Sequence, residues 1–328
     1  MLDVDTSLLP REHCVLVAVS GGADSMALLV WLRENGYNLV VGHVNHALNE
    51  LRDGDCARDE EWLRDRCSNL DVSFKSRTIQ LERRDGHVNE STARIGRYNA
   101  LELLARESGC SLVATAHTAS DALEGLVLNL GRGAGVRGQN AFSPSRTLGD
   151  EISLVRPFWR LGRDEVRNWL GSRHQSWLED RSNTSDLFRR NRVRNELMPL
   201  LSDVFNREVD GLAKSYAHNA ALARDEDSFL ERMAKVALDS LVLKKEDKLL
   251  SLDGTLFAAL DVAIARRVVR LAAQQISPEL RVIERVKIEA VRLAVLNGQK
   301  REVWVWRSGV HVEWTGDRSG KRLRFWRV

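Results

Sequence analysis

Val15–Met26, VLVAVSGGADSM, is the stretch that decides the fold of this chain. An apolar run leads directly into Ser20–Ser25, SGGADS, and an apolar stripe that starts at Met26 follows without a gap. This order predicts a buried strand, a tight loop and a helix. Paired glycines let a backbone approach a ligand closely, and the free N–H groups of a helix N-terminus attract phosphate. The stretch therefore predicts a phosphate-binding loop, with a plain glycine-rich turn as the alternative.

The loop differs from the two common glycine-rich nucleotide motifs. No lysine follows its glycines, as a Walker A loop requires, and the dinucleotide fingerprint G-x-G-x-x-G is absent. Ser-Gly-Gly-x-Asp-Ser after a strand instead resembles the pyrophosphate loop, or PP-loop, of ATP pyrophosphatases. That resemblance implies ATP as the ligand, cleaved between its α and β phosphates. The expected ATP-binding residues are Ser20, Gly21, Gly22, Ala23, Asp24 and Ser25, with Asp24 as the acid that holds Mg²⁺.

Length and composition indicate a globular protein of two domains. The chain has 328 residues, of which 43% are hydrophobic and only 5 are proline.

No window approaches the roughly 18 consecutive apolar residues of a membrane span, and the first residues lack the apolar core of a signal peptide. The 4 cysteines lack C-x-x-C spacing, which argues against a metal or disulfide framework and favours the reducing cytoplasm.

Strand and helix patterns alternate through the N-terminal part of the chain. The predicted strands after the first are Asn38–His46, Val72–Ile79, Ser111–His117 and Ser153–Trp159, and the predicted helices are Asp55–Arg66, Asn89–Glu107, Asp121–Leu130 and Arg163–Arg173. Repeated βα units indicate an α/β fold with a doubly wound parallel sheet, whose ligands bind at the carboxyl ends of the strands. Ser20–Ser25, His43–His46 and His117–Glu124 follow strands, so we expect them in one crevice.

Two pairs of polar residues in these segments are candidates for chemistry. His43 and His46 have a spacing that suits a metal, but no Cys/His cluster accompanies them, so ordinary hydrogen bonds in the crevice are favoured. Asp121 and Glu124 are three residues apart at a helix start and share one face. They either complement the helix dipole or form a carboxylate pair for Mg²⁺ or an ammonium group. Their place in the crevice favours the carboxylate pair.

Positive charge is concentrated in places although the net charge is only +3. Residues 300–328 contain eight Lys or Arg and three acids, and Arg181–Arg194 contains five Arg and one Asp. Such clusters fit either contacts with a polyanion or solvated faces. Gly131–Gly138, GRGAGVRG, is likewise either a linker or a cationic contact for phosphate or RNA.

A series of motifs narrows the resemblance to one family. After the PP-loop come HVNHAL, ARIGRYNAL, AHTASDALEG, RGAGVRG, Arg156-Pro157, EDRSN and FRRNRVRNELMPLL. Together they span about Val15 to Leu201 and resemble the motifs of tRNA(Ile)-lysidine synthetase. This resemblance implies a PP-loop ATPase fold of the adenine-nucleotide alpha hydrolase type. It also implies that ATP adenylates carbon 2 of the wobble cytidine in tRNA(Ile), and that the ε-amino group of free lysine then displaces AMP to leave lysidine.

The same resemblance assigns roles to individual residues. Arg97 matches an arginine of the family's A-R-x-x-R-Y segment, which implies a contact with phosphate or developing charge. Asp121 and Glu124 match the second Asp and the Glu of the H-H-x-D-D-x-x-E-T segment. This chain lacks three residues of that segment: the second His, the first Asp and the final Thr. The resemblance therefore does not extend to a role that needs two adjacent Asp residues. The expected catalytic residues are Asp24, Arg97, Asp121 and Glu124, and the expected RNA-binding residues are Arg189, Arg190, Arg192 and Arg194.

The expected organisation is a catalytic domain at residues 1–205, a connecting helix at 206–240 and a smaller α+β domain at 241–328 that binds tRNA. The Trp and Arg residues of Arg301–Val328 can stack on RNA, although Trp304 and Trp306 fit the core of a small domain better. The resemblance makes this the family's first C-terminal domain, and we expect no second one. The expected partners are tRNA(Ile) and free L-lysine, and the oligomeric state is left open, a homodimer included.

Two other functions stay open at this point. A tRNA thiolase would share the PP-loop but would ordinarily bring C-x-x-C clusters, which this sequence lacks. A tRNA-binding relative without activity is the second alternative, and the missing Asp and Thr after His117 are its support. Release of AMP distinguishes an enzyme from such a relative.

Overall fold

The computed structural model describes residues 2–45, 55–80, 83–84, 87–88, 90–139, 142–179, 189–280, 283–298, 301–306, 309–317 and 320–327. The chain forms two compact units, Met1–Leu222 and Ala223–Val328. Each unit has its own hydrophobic core. The division falls within the helix Val209–Leu241, which covers most of the segment predicted as a connecting helix.

The first unit alternates strands and helices. Its strands are β1 Val15–Ala18, β2 Leu39–Asn45, β3 Ser73–Thr78, β4 Arg83–Arg84, β5 His87–Val88, β6 Leu112–Ala114, β7 Ser145–Gly149 and β8 Ile152–Val155. Its helices are α1 Ala23–Glu34, α2 Asp55–Asn69, α3 Glu90–Glu107, α4 Ala119–Gly131, α5 Val136–Gln139, α6 Arg163–Gly171, α7 Arg189–Arg192 and α8 Met198–Phe205. A π-helical turn, Val193–Leu197, joins α7 to α8, and α9, Val209–Leu241, follows.

Six strands form the central sheet, in the order β3-β2-β1-β6-β8-β7. Neighbouring strands are parallel except for the antiparallel pair of β7 and β8. The chain adds β2 and β3 on one side of β1, and later β6 and β8 on the other. In such a sheet a crevice opens at the carboxyl ends of the strands where the order reverses, here between β1 and β6. The parallel strands are as the sequence predicts, whereas β7 was not predicted because SRTLG has no apolar run.

The strand and the helix that flank the PP-loop are deeply buried elements of this unit. Val15 and Val17 of β1 pack on one face of the sheet in a core that contains α1 residues, and Leu16 packs on the other face. The buried residues of α1 run from Met26 to Leu32 without a polar side, as expected for a helix enclosed in a core. The loop between them is therefore held at both ends by buried structure.

Cys14 and Cys110 form a disulfide, which corrects the expectation from the sequence. Their Cα atoms are 4.5 Å apart. Each cysteine stands just before a strand, and the parallel register of β1 and β6 places Val15 opposite Leu112. The 96 residues between the two cysteines conceal this proximity in the sequence.

The second unit is α+β, as the sequence predicts. Its strands are β9 Val242–Glu246, β10 Leu249–Asp253, β11 Arg301–Val305, β12 Val310–Asp317 and β13 Gly320–Arg327, and its helices are α10 Gly254–Ala258, α11 Val262–Ile276 and α12 Arg285–Leu296. The strands form an antiparallel sheet in the order β11-β12-β13-β10-β9. Trp306 and Trp314 are buried in its core, and Trp304 packs partly against it. None of the helices in the described ranges is long and apolar enough to cross a membrane.

Candidate active site

The PP-loop, Ser20–Ser25, connects the end of β1 to the start of α1. The Ser25 hydroxyl donates a hydrogen bond to the Gly22 carbonyl at 2.9 Å and accepts one from the Ser20 N–H at 3.2 Å. Gly22 is the N-cap of α1 and has no side chain to bond the first turn. The positive end of the helix therefore carries no side-chain cap, which is the arrangement that favours a bound phosphate.

Gly21 is required by both the conformation and the surroundings of the loop. Its φ is +92°, in the region that side chains disfavour. A Cβ at this position would lie 2.7 Å from Cδ1 of Leu178. The Leu178 N–H donates to the Gly21 carbonyl at 2.9 Å, so a distant segment of the chain closes one side of the loop.

Arg163 contacts the three acids that the sequence predicts to be catalytic. Arg163 itself was not among the predicted site residues. Its guanidinium donates to Asp121 Oδ1 at 3.0 Å and to Glu124 Oε1 at 2.8 Å. Its Nε also lies 3.6 Å from Oδ2 of Asp24, beside the PP-loop. Arg163 is the first residue of α6, which follows β8. The structure thus brings Asp24, Asp121 and Glu124 together in the crevice, and the only sequence signal for Arg163 is its place at a predicted helix start.

Arg190 and Arg194 add two further guanidinium groups to the same acids. Arg190 donates to Asp121 Oδ1 and to Glu124 Oε2, both at 2.9 Å. Arg194 donates to Glu124 Oε1 at 2.8 Å and Oε2 at 3.1 Å. The Glu124 side chain is only 1% exposed. We call these residues the acid–arginine cluster: Asp24, Asp121, Glu124, Arg163, Arg190 and Arg194.

The pKa values of the three acids in the cluster shift in different directions. Burial raises the pKa of Asp121, but the charges of Arg163 and Arg190 outweigh it and hold that pKa well below its usual range. Burial also opposes ionisation of Glu124, yet the hydrogen bond from Arg194 and the charge of Arg163 lower its pKa. At Asp24 burial prevails and raises the pKa to about 6. Asp121 and Glu124 are therefore firmly ionised and weak as bases.

Asp24 has a carboxylate oxygen available for a ligand. Its Oδ1 is buried and has no hydrogen-bond partner among the described residues. A buried carboxylate oxygen without a donor suits a hard cation such as Mg²⁺. The residues present therefore fit a magnesium ion that accompanies ATP. In the part of the chain that the structure describes, no group of three or more His, Cys, Asp or Glu side chains is arranged to hold a metal on its own.

A cavity of about 290 Å³ opens beside the acid–arginine cluster. His117, Asp121 and Arg156, which follow β6 and β8, contribute to its lining, and so does Phe142. Nδ1 of His117 lies 2.9 Å from Oγ1 of Thr115. Burial lowers the pKa of His117 to about 3, so its ring is neutral at physiological pH. The crevice thus offers a phosphate loop on one side and a polar cavity on the other.

The other predicted residues are placed as follows. Arg97 is an exposed residue of α3, and Arg94, one turn earlier, lines the cavity instead. Of the four arginines expected on RNA, Arg189 and Arg192 are exposed, whereas Arg190 and Arg194 belong to the acid–arginine cluster.

The histidine pair and the glycine-rich segment are placed only in part. His43 is buried, and its Nδ1 lies 2.9 Å from the Val19 carbonyl, which is an ordinary hydrogen bond. His46 and residues 180–188 lie outside the described residues. Within Gly131–Gly138, Arg132 lines the cavity and Gly133 has a φ of +71°.

Comparison with known proteins points to one family. The model of the family ATP_bind_3, described as a PP-loop domain, matches residues 4–201. A tRNA(Ile)-lysidine synthase of Gloeobacter violaceus is 36% identical over 267 residues, which cover 80% of this chain and 77% of that protein. A tRNA(Ile)-lysidine synthase of Geobacter sulfurreducens is 37% identical over 238 residues, covering 71% of this chain. The chain spans only 48% of the length of this second relative.

One solved structure shares the fold. It is the U34-tRNA thiolase NcsA from Methanococcus maripaludis with its [4Fe-4S] cluster, and it aligns with a TM-score of 0.52. The alignment covers 66% of this chain and 74% of that one at 15% sequence identity. At that identity the likeness concerns the arrangement of strands and helices alone.

Proposed function

The chain belongs to the tRNA(Ile)-lysidine synthase family of PP-loop proteins, and on that premise we propose that it synthesises lysidine. In the first step O2 of the wobble cytosine attacks the α-phosphate of ATP, and pyrophosphate leaves. In the second step the ε-amino nitrogen of free lysine attacks carbon 2, AMP leaves with the oxygen, and the proton released by the amine passes to solvent. The observation that carries the proposal is the uncapped phosphate loop beside a polar cavity in one crevice.

ATP would be held by Ser20–Ser25 and the N-terminus of α1. Asp24 would hold Mg²⁺ through its unpaired oxygen, and the ion would supply positive charge for the departing pyrophosphate. Arg163, which lies next to Asp24, carries a positive charge at the same place. The predicted role of Arg97 toward phosphate stays a prediction.

Lysine would be oriented by Asp121. Asp121 lines the cavity, whereas Glu124 is not among the lining residues and is enclosed by three guanidinium groups. Both oxygens of Asp121 already accept hydrogen bonds, Oδ1 from Arg163 and Arg190 and Oδ2 from Thr118, so the ammonium group of lysine would add to these contacts. A free lysine amine has a pKa of about 10.4, so roughly one molecule in 2,500 is neutral at pH 7. Because the pKa of Asp121 is low, this carboxylate attracts and orients the ammonium group and accepts its proton poorly. Glu124 would instead position the arginines of the cluster.

The tRNA would contact both units of the chain. Arg189 and Arg192 are exposed on the first unit and carry no role in the acid–arginine cluster. In the second unit Arg322 and Arg324 lie on β13. Trp306 and Trp314 are buried in the core, so they are unsuited to stack on bases. We therefore assign the RNA contacts of residues 241–328 to charged side chains of the sheet, with the second unit as a tRNA-binding domain.

The decisive experiment is nucleoside analysis of a tRNA(Ile) transcript with a wobble cytidine after incubation with the protein, ATP, Mg²⁺ and lysine. We expect lysidine from the native chain and none from Asp24→Ala, whose melting curve should stay close to native. Glu34→Ala, at the other end of α1, is the matched control and should remain active. Binding of tRNA without AMP release would favour a non-catalytic relative, and a thiolated base would favour a thiolase.

A second assay tests the assignment of Asp121. Asp121→Asn keeps the shape of the side chain but removes the charge that would orient lysine. In single-turnover reactions with labelled ATP and labelled lysine, adenylated tRNA should accumulate while lysine incorporation falls by roughly a hundredfold. If both steps fail in parallel, the assignment of Asp121 to lysine is wrong and the residue belongs to the ATP site.

A further inference from the structure

Three arginines surround Tyr98 at the edge of the cavity. Cζ of Arg146 lies 4.4 Å from the centre of the Tyr98 ring, and Cζ of Arg94 lies 5.3 Å from it. Arg156 lies close enough for its charge to lower the pKa of the same tyrosine. These residues come from α3, from β7 and from the position just after β8. We call Arg94, Tyr98, Arg146 and Arg156 the arginine–tyrosine cluster.

The positive charge of this cluster is not balanced by acids in the described ranges. Arg156 donates to the Ser143 carbonyl and Arg146 donates to the Thr147 carbonyl. No described carboxylate forms an ion pair with any of the three arginines, in contrast to the acid–arginine cluster nearby. Burial raises the pKa of Tyr98, but the three arginines together lower it below its usual value. The site therefore has the positive potential that an anion requires.

Arg156 provides a second and independent sign of a missing partner. The residue is only 4% exposed, and its Nε is buried without a hydrogen-bond acceptor among the residues described. A buried guanidinium N–H with no acceptor is costly unless a ligand supplies one. Arg156 also lines the cavity, so an acceptor bound there can reach this part of the chain.

The cavity has a lining that suits the ring and the phosphate of a nucleotide. Its volume of about 290 Å³ is near the lower end, roughly 300 Å³, of small-molecule pockets. Arg94 and Arg156 stand on its cationic side, and Phe142 and Leu126 offer apolar surface for a ring. Cζ of Arg156 lies 5.1 Å from the centre of the Phe142 ring. A ligand with a flat ring and an attached phosphate matches both features.

The position of the cavity separates this ligand from ATP. The PP-loop stands at the end of β1, whereas His117 and Arg156 follow β6 and β8, the next strands in the sheet. The phosphates of ATP are accounted for by the uncapped N-terminus of α1. A second nucleotide would therefore lie beside ATP, with the crevice between β1 and β6 as the shared boundary.

We infer that the cavity receives the pyrimidine nucleotide that is adenylated, and that Arg94, Arg146 and Arg156 around Tyr98 bind the RNA phosphates that flank it. This inference rests on the proposed function, because it takes the occupant to be the acceptor nucleotide. The ring would lie against Phe142 near Asp121, and the flanking phosphates would meet the arginine–tyrosine cluster. The Nε–H of Arg156 would then find its acceptor in a phosphate oxygen.

The test uses cytidine 3′,5′-bisphosphate and cytidine as probes, with binding to the full chain measured by calorimetry. We expect the bisphosphate to bind at least tenfold more tightly than cytidine. Arg94→Gln and Arg146→Gln should each weaken the bisphosphate about tenfold, the effect of one lost charge-assisted contact, and leave cytidine and ATP binding unchanged. Arg11→Gln is the matched control, because Cζ of Arg11 lies 3.9 Å from the Tyr37 ring, before β1 at the opposite end of the sheet.

The outcomes separate this inference from the proposed function. Equal affinity of the native chain for the two probes, or an equal loss in Arg11→Gln, would overturn the phosphate assignment. Inorganic phosphate that competes with ATP and leaves the bisphosphate bound would overturn it as well. If the double variant of Arg94 and Arg146 makes lysidine with an unchanged KM for tRNA, the subsite is wrong and the function stands. If the native chain makes no lysidine but the bisphosphate data hold, the function is wrong and the nucleotide site stands.

Discussion

Glu124 is the residue on which the acid–arginine cluster depends most. It is buried, and its two carboxylate oxygens accept hydrogen bonds from Arg163, Arg190 and Arg194. Glu124→Gln keeps the shape but leaves three guanidinium groups without their shared charge. Breaking a buried ion pair costs about 3–5 kcal/mol, so we expect the free energy of unfolding to fall by about that amount at pH 7. Chemical denaturation of both proteins measures it, and a loss below about 1 kcal/mol would contradict the central role of Glu124.

The effect of this substitution should depend on pH. Burial opposes ionisation of Glu124, but Arg194 and Arg163 hold its folded-state pKa below the usual value. An acid with a depressed pKa stabilises the fold fully above its unfolded pKa, about 4.3 for Glu, and loses that contribution as the pH falls through the folded-state pKa. The stabilities of the native chain and of Glu124→Gln should therefore converge as the pH falls below about 4. Parallel curves would show that the carboxylate of Glu124 contributes no linked protonation.

Gly21 allows a second test at a single residue, because Gly36 has a similar backbone conformation and serves as its control. Gly21 and Gly36 both have positive φ, +92° and +69°, but a Cβ on Gly36 would meet nothing within 4 Å. Alanine at either position costs about 1–2 kcal/mol of backbone strain. Only Gly21→Ala also displaces Leu178 from the loop, so only this variant should lose stabilisation by ATP in melting curves. Equal stabilisation of both variants by ATP would show that the Leu178 contact does not shape the loop.

At the scale of elements, α7 and the following π-helical turn present arginines in two directions. Arg189 and Arg192 are exposed, while Arg190 and Arg194 face the acids of α4. Reversal of all four charges would therefore mix two effects. Arg189→Glu with Arg192→Glu should weaken tRNA binding and reduce the slope of log K against log salt by roughly 0.7–0.9 per lost phosphate contact, with stability retained.

Arg190 and Arg194, which face the acids of α4, serve as the contrast for this experiment. Arg190→Glu with Arg194→Glu places like charges beside Asp121 and Glu124, so we expect a lower melting temperature before any change in RNA affinity is measurable. Filter binding over a salt series, together with melting curves, measures both pairs. If the double variant of Arg189 and Arg192 keeps the native slope of log K against log salt, these two residues form a solvated face.

At the scale of the whole molecule, the two units have separate cores. Trp314 is fully buried in the second unit and Phe158 in the first. Trp314→Ala should destabilise its unit by about 3–5 kcal/mol. Hydrogen exchange should accelerate in residues 223–328 while ATP binding to the first unit persists, and Phe158→Ala should show the reverse pattern. Uniform acceleration throughout the chain would contradict two independently cooperative units.

The sequence by itself determined the features that depend on neighbours along the chain. The apolar run of β1, the glycines of the PP-loop and the apolar stripe of α1 each act over a few residues, so their pattern predicts their structure. The alternation of strands and helices then determined a parallel sheet, since βα units of this length pack in few ways. The same rule brought Asp24 and Asp121 to one crevice, because the carboxyl ends of parallel strands share an edge.

Only the tertiary structure decided which side chains meet within that crevice. Arg163 joins the acids from a third strand end, and Arg190 and Arg194 turn away from solvent toward Glu124. Arg94, one turn from Arg97, lines the cavity because the rotation of α3 about its axis is set by packing. A sequence records that an arginine carries charge, but whether a carboxylate, a phosphate or water balances that charge depends on partners distant along the chain. Such long-range pairings leave no local pattern, since the separation between partners is arbitrary and only the folded chain makes it short.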